Sequence, residues 1–94
     1  MKAFLIAAIA AVGLASGQAA IAQEALAKSS GCLNCHAADT KKVGPSFKSV
    51  AEKFKGKADA EATLVAKLKN GTGHPAQKAS EDDLKSLVKW VLAM

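Results

Sequence analysis

Along residues 23–94 the apolar positions recur with helical spacing, and no stretch alternates convincingly as a strand would. A short helix is expected over 24–30, with Leu26 as its main buried anchor, running into Gly31. Phe47, Val50, Ala51 and Phe54 fall at i, i+3, i+4 and i+7, which predicts a helix over 46–55 that stops at Gly56. A third helix over 59–69 places Ala60, Leu64, Val65 and Leu68 on one face and closes at Asn70-Gly71. The last is the clearest. Ser80 with Asp83 resembles a capping box, Glu81 and Asp82 stand where the helix dipole favours negative charge, and Leu84, Leu87, Val88, Val91 and Leu92 form a stripe. The pattern predicts an all-α domain of about four helices.

Residues 1–22 follow another logic. Lys2 gives a positive start, a run of small and apolar residues follows, and Ala20-Ile21-Ala22 fits the small-x-small site of a signal peptidase. The run is short for a bilayer span, and polar Gln23-Glu24 comes next, so a cleaved signal peptide over 1–22 is preferred to a retained anchor. The expectation is export, with residues 23–94 as the single mature domain.

A mature chain of about 72 residues is of a size at which an apolar core is marginal without a staple. The two cysteines, Cys32 and Cys35, are too close together for a disulfide between them to constrain much of the chain. Its only aromatics are Phe47, Phe54 and Trp90, which suits a domain whose largest apolar object is not an amino acid. All 13 basic residues are lysine against 8 acids, a formal charge of +5 that falls by one on loss of Lys2. Such a charge suits nucleic acid, a membrane surface or an acidic protein. Export and the lack of arginine, the preferred reader of bases and phosphates, argue against nucleic acid.

Cys32-Leu33-Asn34-Cys35-His36 is C-x-x-C-H, the attachment sequence for c-type haem. Two thiols at that spacing on a tight turn can each add to one vinyl group of the porphyrin, while the next residue brings an imidazole to the iron. A thioredoxin-like motif would need a preceding strand and a βαβ context, and a disulfide here would stabilise little. Zinc is the serious rival, because Cys32, Cys35, His36 and His74 make up a Cys₂His₂ set. Against it, adjacent Cys35 and His36 would have difficulty pointing at one tetrahedral ion, and the usual H-x₃₋₅-H pair is missing.

With Gly31 to Ala37 go Asp39-Thr40-Lys41-Lys42-Val43-Gly44-Pro45, Val50-Ala51-Glu52-Lys53-Phe54, Lys69-Asn70-Gly71 and Lys89-Trp90-Val91-Leu92. On these pieces the chain resembles the short class I bacterial monohaem cytochromes c, the soluble donors to nitrite reductases and terminal oxidases. The resemblance implies a cytochrome c fold of about four helices around one covalently bound haem c. It also implies a hydrogen bond from His36 to the Pro45 carbonyl, which would fix the ring's tautomer and raise its basicity toward iron.

Members of this family normally supply a distal methionine from the loop before the last helix. Here the loop is shortened, and the only methionine outside residues 1–22 is the terminal Met94. Where methionine is expected stands His74, followed by Pro75, so a bis-histidine iron held by His36 and His74 is the leading expectation. Lys78, Asn70 or an open, water-filled position are the alternatives, and a lone loop histidine can simply face water. Trp90 is expected either near a haem propionate or in ordinary core. Lys41, Lys42, Lys48, Lys53, Lys55, Lys67, Lys69 and Lys78 could ring a haem edge and steer docking to an acidic partner, although solvated lysines are common on any helical surface.

The functional expectation is a periplasmic one-electron carrier, not an enzyme, monomeric and free of the membrane after cleavage. Its partners would be reductases, oxidases or other cytochromes. A gas-binding or sensing haem protein with a weak sixth ligand is the alternative, and a zinc-stabilised interaction module stands third.

Overall fold

The last helix organises the molecule. In the computed structural model, which describes residues 12–94, it spans Glu81–Leu92 (α4) and packs against each of the other three helices, Val12–Ser29 (α1), Phe47–Lys53 (α2) and Ala60–Asn70 (α3). Ser80 caps α4, its hydroxyl oxygen accepting the Asp83 backbone N–H at 3.1 Å, and Glu81, Asp82 and Asp83 fill the first turn at the positive end of the dipole. The stripe then buries Leu84, Leu87 and Val88. Leu84 is the largest fully enclosed side chain, and with Val88 and Val65 of α3 it forms a cluster joined by Leu64, Leu68, Ala79 and Leu92. That cluster fixes both ends of the segment 71–79, which carries His74.

All described secondary structure is helical: the four α-helices and one 3₁₀ turn at Cys32–Asn34. The second helix is shorter than its apolar spacing predicts. Ser46 caps it by accepting from Ser49 N at 3.1 Å, and Phe54 already leaves helical geometry, because the chain turns there toward Gly56. The first helix is longer than expected, since the alanine-rich sequence before Glu24 continues the same helix across the predicted cleavage point after Ala22. Its buried anchor is Ala27, fully enclosed, rather than Leu26, which is only half-buried. Residues 1–11, half of the expected signal peptide, lie outside the described residues. No helix among the described residues is long and apolar enough to cross a membrane.

Candidate haem-binding site

Three chemistry-bearing side chains leave one tight turn. Asn34 N bonds to Gly31 O at 3.2 Å, and both Cys35 N and His36 N bond to Cys32 O, at 3.3 and 3.0 Å. Cys32 and Cys35 therefore stand on one turn as free thiols, the first half-buried and the second exposed. Burial pushes the Cys32 thiol above its ordinary range, against a smaller lowering from a backbone hydrogen bond.

His36 is fixed by the loop that follows. Its Nδ1 lies 2.6 Å from the Pro45 carbonyl oxygen. A carbonyl can only accept, so Nδ1 carries the proton and Nε2 of the neutral ring keeps a free lone pair. Gly44 lies directly against the ring, where a Cβ would stand 2.5 Å from Cε1, 2.9 Å from Nδ1 and 3.0 Å from Nε2. Only a hydrogen fits. The loop is tied back to the cysteine turn by Gly44 N to Cys35 O at 2.7 Å and by Lys42 Nζ to Leu33 O at 2.9 Å. Behind it Phe47 N bonds to Ala37 O at 2.9 Å, which brings the buried Phe47 ring to 5.2 Å from the His36 ring. Trp90 meets Phe47 edge-on, 5.6 Å between centres. His36, Phe47, Trp90, Leu33, Lys42 and Glu24 share the wall of one open recess of about 350 Å³.

The second histidine arrives from the other side of the sequence. α3 ends at Gly71, whose left-handed backbone (φ 75°) reverses the chain at a position that L side chains rarely tolerate. Gln77 N then bonds to Leu68 O at 2.7 Å, closing the segment into a short arch. At its crest His74 Nδ1 lies 2.9 Å from the Pro75 carbonyl, which also accepts from Gln77 Nε2 at 2.8 Å. His74 thus has the same tautomer as His36. The two rings are parallel within 2°, with centres 5.9 Å apart.

Two metal–imidazole bonds of about 2 Å each, plus the distance from ring centre to nitrogen on both sides, require ring centres roughly 6 Å apart. The centre spacing is that of two imidazoles on one iron, and the two thiols and following imidazole of the C-x-x-C-H turn are the donor set for covalent porphyrin attachment. Zinc fits less well. Among the described residues no three His, Cys, Asp or Glu side chains converge as a metal site, so the Cys₂His₂ set is not assembled. Of the other distal candidates, Lys78 and Asn70 are both exposed. Sequence reasoning read Phe47 only as core and missed its contact with His36. It also missed the Lys42 tether and the steric demand at Gly44, for which the neighbouring Pro45 was the only local hint.

No family model matches the chain. Individual relatives do. The chain is 42% identical to cytochrome c-551 of Pseudomonas aeruginosa over 102 residues, covering 99% of this chain and 98% of that protein. It is 39% identical to cytochrome c-552 of Hydrogenobacter thermophilus over 101 residues, covering 100% and 99%. The fold superposes on the crystal structure of the class 1 cytochrome MtoD from Sideroxydans lithotrophicus ES-1 with a TM-score of 0.66 at 38% identity, over 88% of this chain and 97% of that one. Full-length similarity of this kind, joined to an all-helical fold that gathers a C-x-x-C-H turn and a second imidazole, places the chain among haem electron carriers rather than enzymes. It belongs to the class I monohaem cytochromes c, whose members carry one covalently bound haem c.

Proposed function

We propose that the chain loses residues 1–22 on export and serves in the periplasm as a one-electron carrier, with Cys32 and Cys35 tethering the haem and His36 and His74 as its two axial ligands. The observation that carries the bis-histidine reading is the matched pair of imidazoles: each Nδ1 is engaged by a proline carbonyl, each Nε2 is left with a lone pair, and the rings are parallel. When bound, the haem supplies reversible one-electron chemistry at iron. The chain supplies the rest. The Pro45 and Pro75 carbonyls hold both tautomers and raise the basicity of both ligating nitrogens. Gly44 and Phe47 keep the His36 ring from turning. Two imidazoles favour ferric iron relative to a His/Met pair, so the reduction potential lies below that of methionine-ligated relatives.

Docking follows the lysines. Lys41, Lys42, Lys53, Lys55, Lys67 and Lys78 are exposed, while Lys48 and Lys69 are exposed but paired with Asp39 and Glu81. This surface suits an acidic redox partner, met by a monomer. Visible and magnetic spectra of the oxidised and reduced His74→Ala protein test the ligand assignment: the natural protein is low-spin in both states and the variant gains a high-spin form. An unchanged spectrum would remove His74 from the iron.

A further inference from the structure

Gln23 stands at an unusual place for a glutamine. It is the residue that follows Ala20-Ile21-Ala22, so removal of residues 1–22, on which this inference rests, makes it the first residue of the mature chain. Its side chain is half-buried, one helical turn before the fully enclosed Ala27 on the helix that packs against α4. In the uncleaved chain its Oε1 is shut off from solvent and has no hydrogen-bond partner among the described residues. No hydrogen bond at that atom therefore has to be broken for the amide to react.

From these observations we infer that the mature N-terminus is a pyroglutamate formed from Gln23. Once the Ala22–Gln23 bond is cut, the α-nitrogen and the side-chain Cδ belong to one residue, at the separation that closes a five-membered ring, and such closure has a large intramolecular advantage. The α-nitrogen attacks Cδ, the N–Cδ bond forms and the Cδ–Nε2 bond breaks. One proton passes from the α-nitrogen to the leaving group, which departs as ammonia, so no oxidant or co-substrate is needed. The electrostatic consequence falls on α1. A free terminus would put an ammonium at the positive end of the helix dipole, and the lactam removes that charge. Glu24, exposed in what becomes the first turn, is then left as the complementary charge there.

The test uses the holoprotein exported by a haem-competent host and analysed directly after isolation. Mass spectrometry of the N-terminal peptide is expected to begin at residue 23 and to be lighter than the free peptide by one ammonia, and pyroglutamyl aminopeptidase should remove that residue. Gln23→Asn, whose shorter side chain could close only a strained four-membered ring, is expected to keep its amine and to focus one positive charge more basic than the natural protein. A free Gln23 amine in the natural protein would overturn the inference and leave the processing reading standing. A chain starting at any other residue would overturn both.

Discussion

The imidazoles of His36 and His74 are parallel to within 2°, with centres 5.9 Å apart, although all of α2 and α3 separates them in sequence. Each gives its Nδ1 proton to a proline carbonyl, but the two bonds differ in kind. His36 is tied to Pro45 across a loop, whereas His74 is tied to its own neighbour Pro75, so its support moves with the arch that carries it.

From this pairing, His74→Met should stay six-coordinate and raise the reduction potential, because a thioether favours ferrous iron more than an imidazole does. Spectroelectrochemical titration of the natural protein and the variant measures the difference. Equal potentials, with both spectra low-spin, would count against His74 as the ligand exchanged.

Gly44→Ala places a methyl group 2.5 Å from His36 Cε1, and neither the ring nor the loop backbone has a flexible end to yield. Destabilisation of about 1–3 kcal/mol is expected, as for overpacked cores. The ring must also turn away from Pro45, so the low-spin signal of the variant should broaden or split. Thermal unfolding followed by circular dichroism measures the first effect and electron paramagnetic resonance the second.

Leu84→Ala removes the largest enclosed side chain from the α3–α4 cluster and should cost about 2–5 kcal/mol. A domain of this size holds only about 5–15 kcal/mol in total, so the urea midpoint should fall by a large fraction. Because this cluster anchors both ends of the segment carrying His74, carbon monoxide should also bind the reduced variant faster than the natural protein.

Cys32 and Cys35 should differ in reactivity before haem is attached. Burial raises the Cys32 thiol, which leaves less thiolate at neutral pH, and thiolate is the reactive form. Alkylation of the haem-free chain followed by peptide mass mapping should therefore label the exposed Cys35 first. Labelling of Cys32 should catch up as pH rises above the ordinary thiol range. Equal rates at neutral pH would contradict the burial argument.

Helix order and the C-x-x-C-H turn were legible because each depends on local spacing, whereas His74 stood out only through the resemblance, as the residue where the family has methionine. Apolar periodicity marks which face of a helix is buried, and five consecutive residues contain the whole haem-attachment motif. Boundaries were less legible. Ser46 and Ser80 announce their helices as caps, but nothing in the sequence distinguishes Phe54 as the last residue of a face from Phe54 as the first residue of a turn. Likewise Leu26 outweighs Ala27 in hydrophobicity, yet the packed fold encloses the smaller side chain and leaves the larger only half-buried.

By itself, then, the sequence determined an all-helical chain with two thiols and an imidazole on one turn and a second histidine in the loop before the last helix. Tertiary structure alone decided that the two imidazoles stand parallel at a spacing that fits one metal ion, that Lys42 ties its loop to Leu33, and that Gly44 must lack a side chain. The physical reason is one of range. Periodicity and motifs report contacts between residues a few positions apart, whereas the distance between His36 and His74 depends on how α2 and α3 both pack on α4, and no local pattern encodes that sum of contacts.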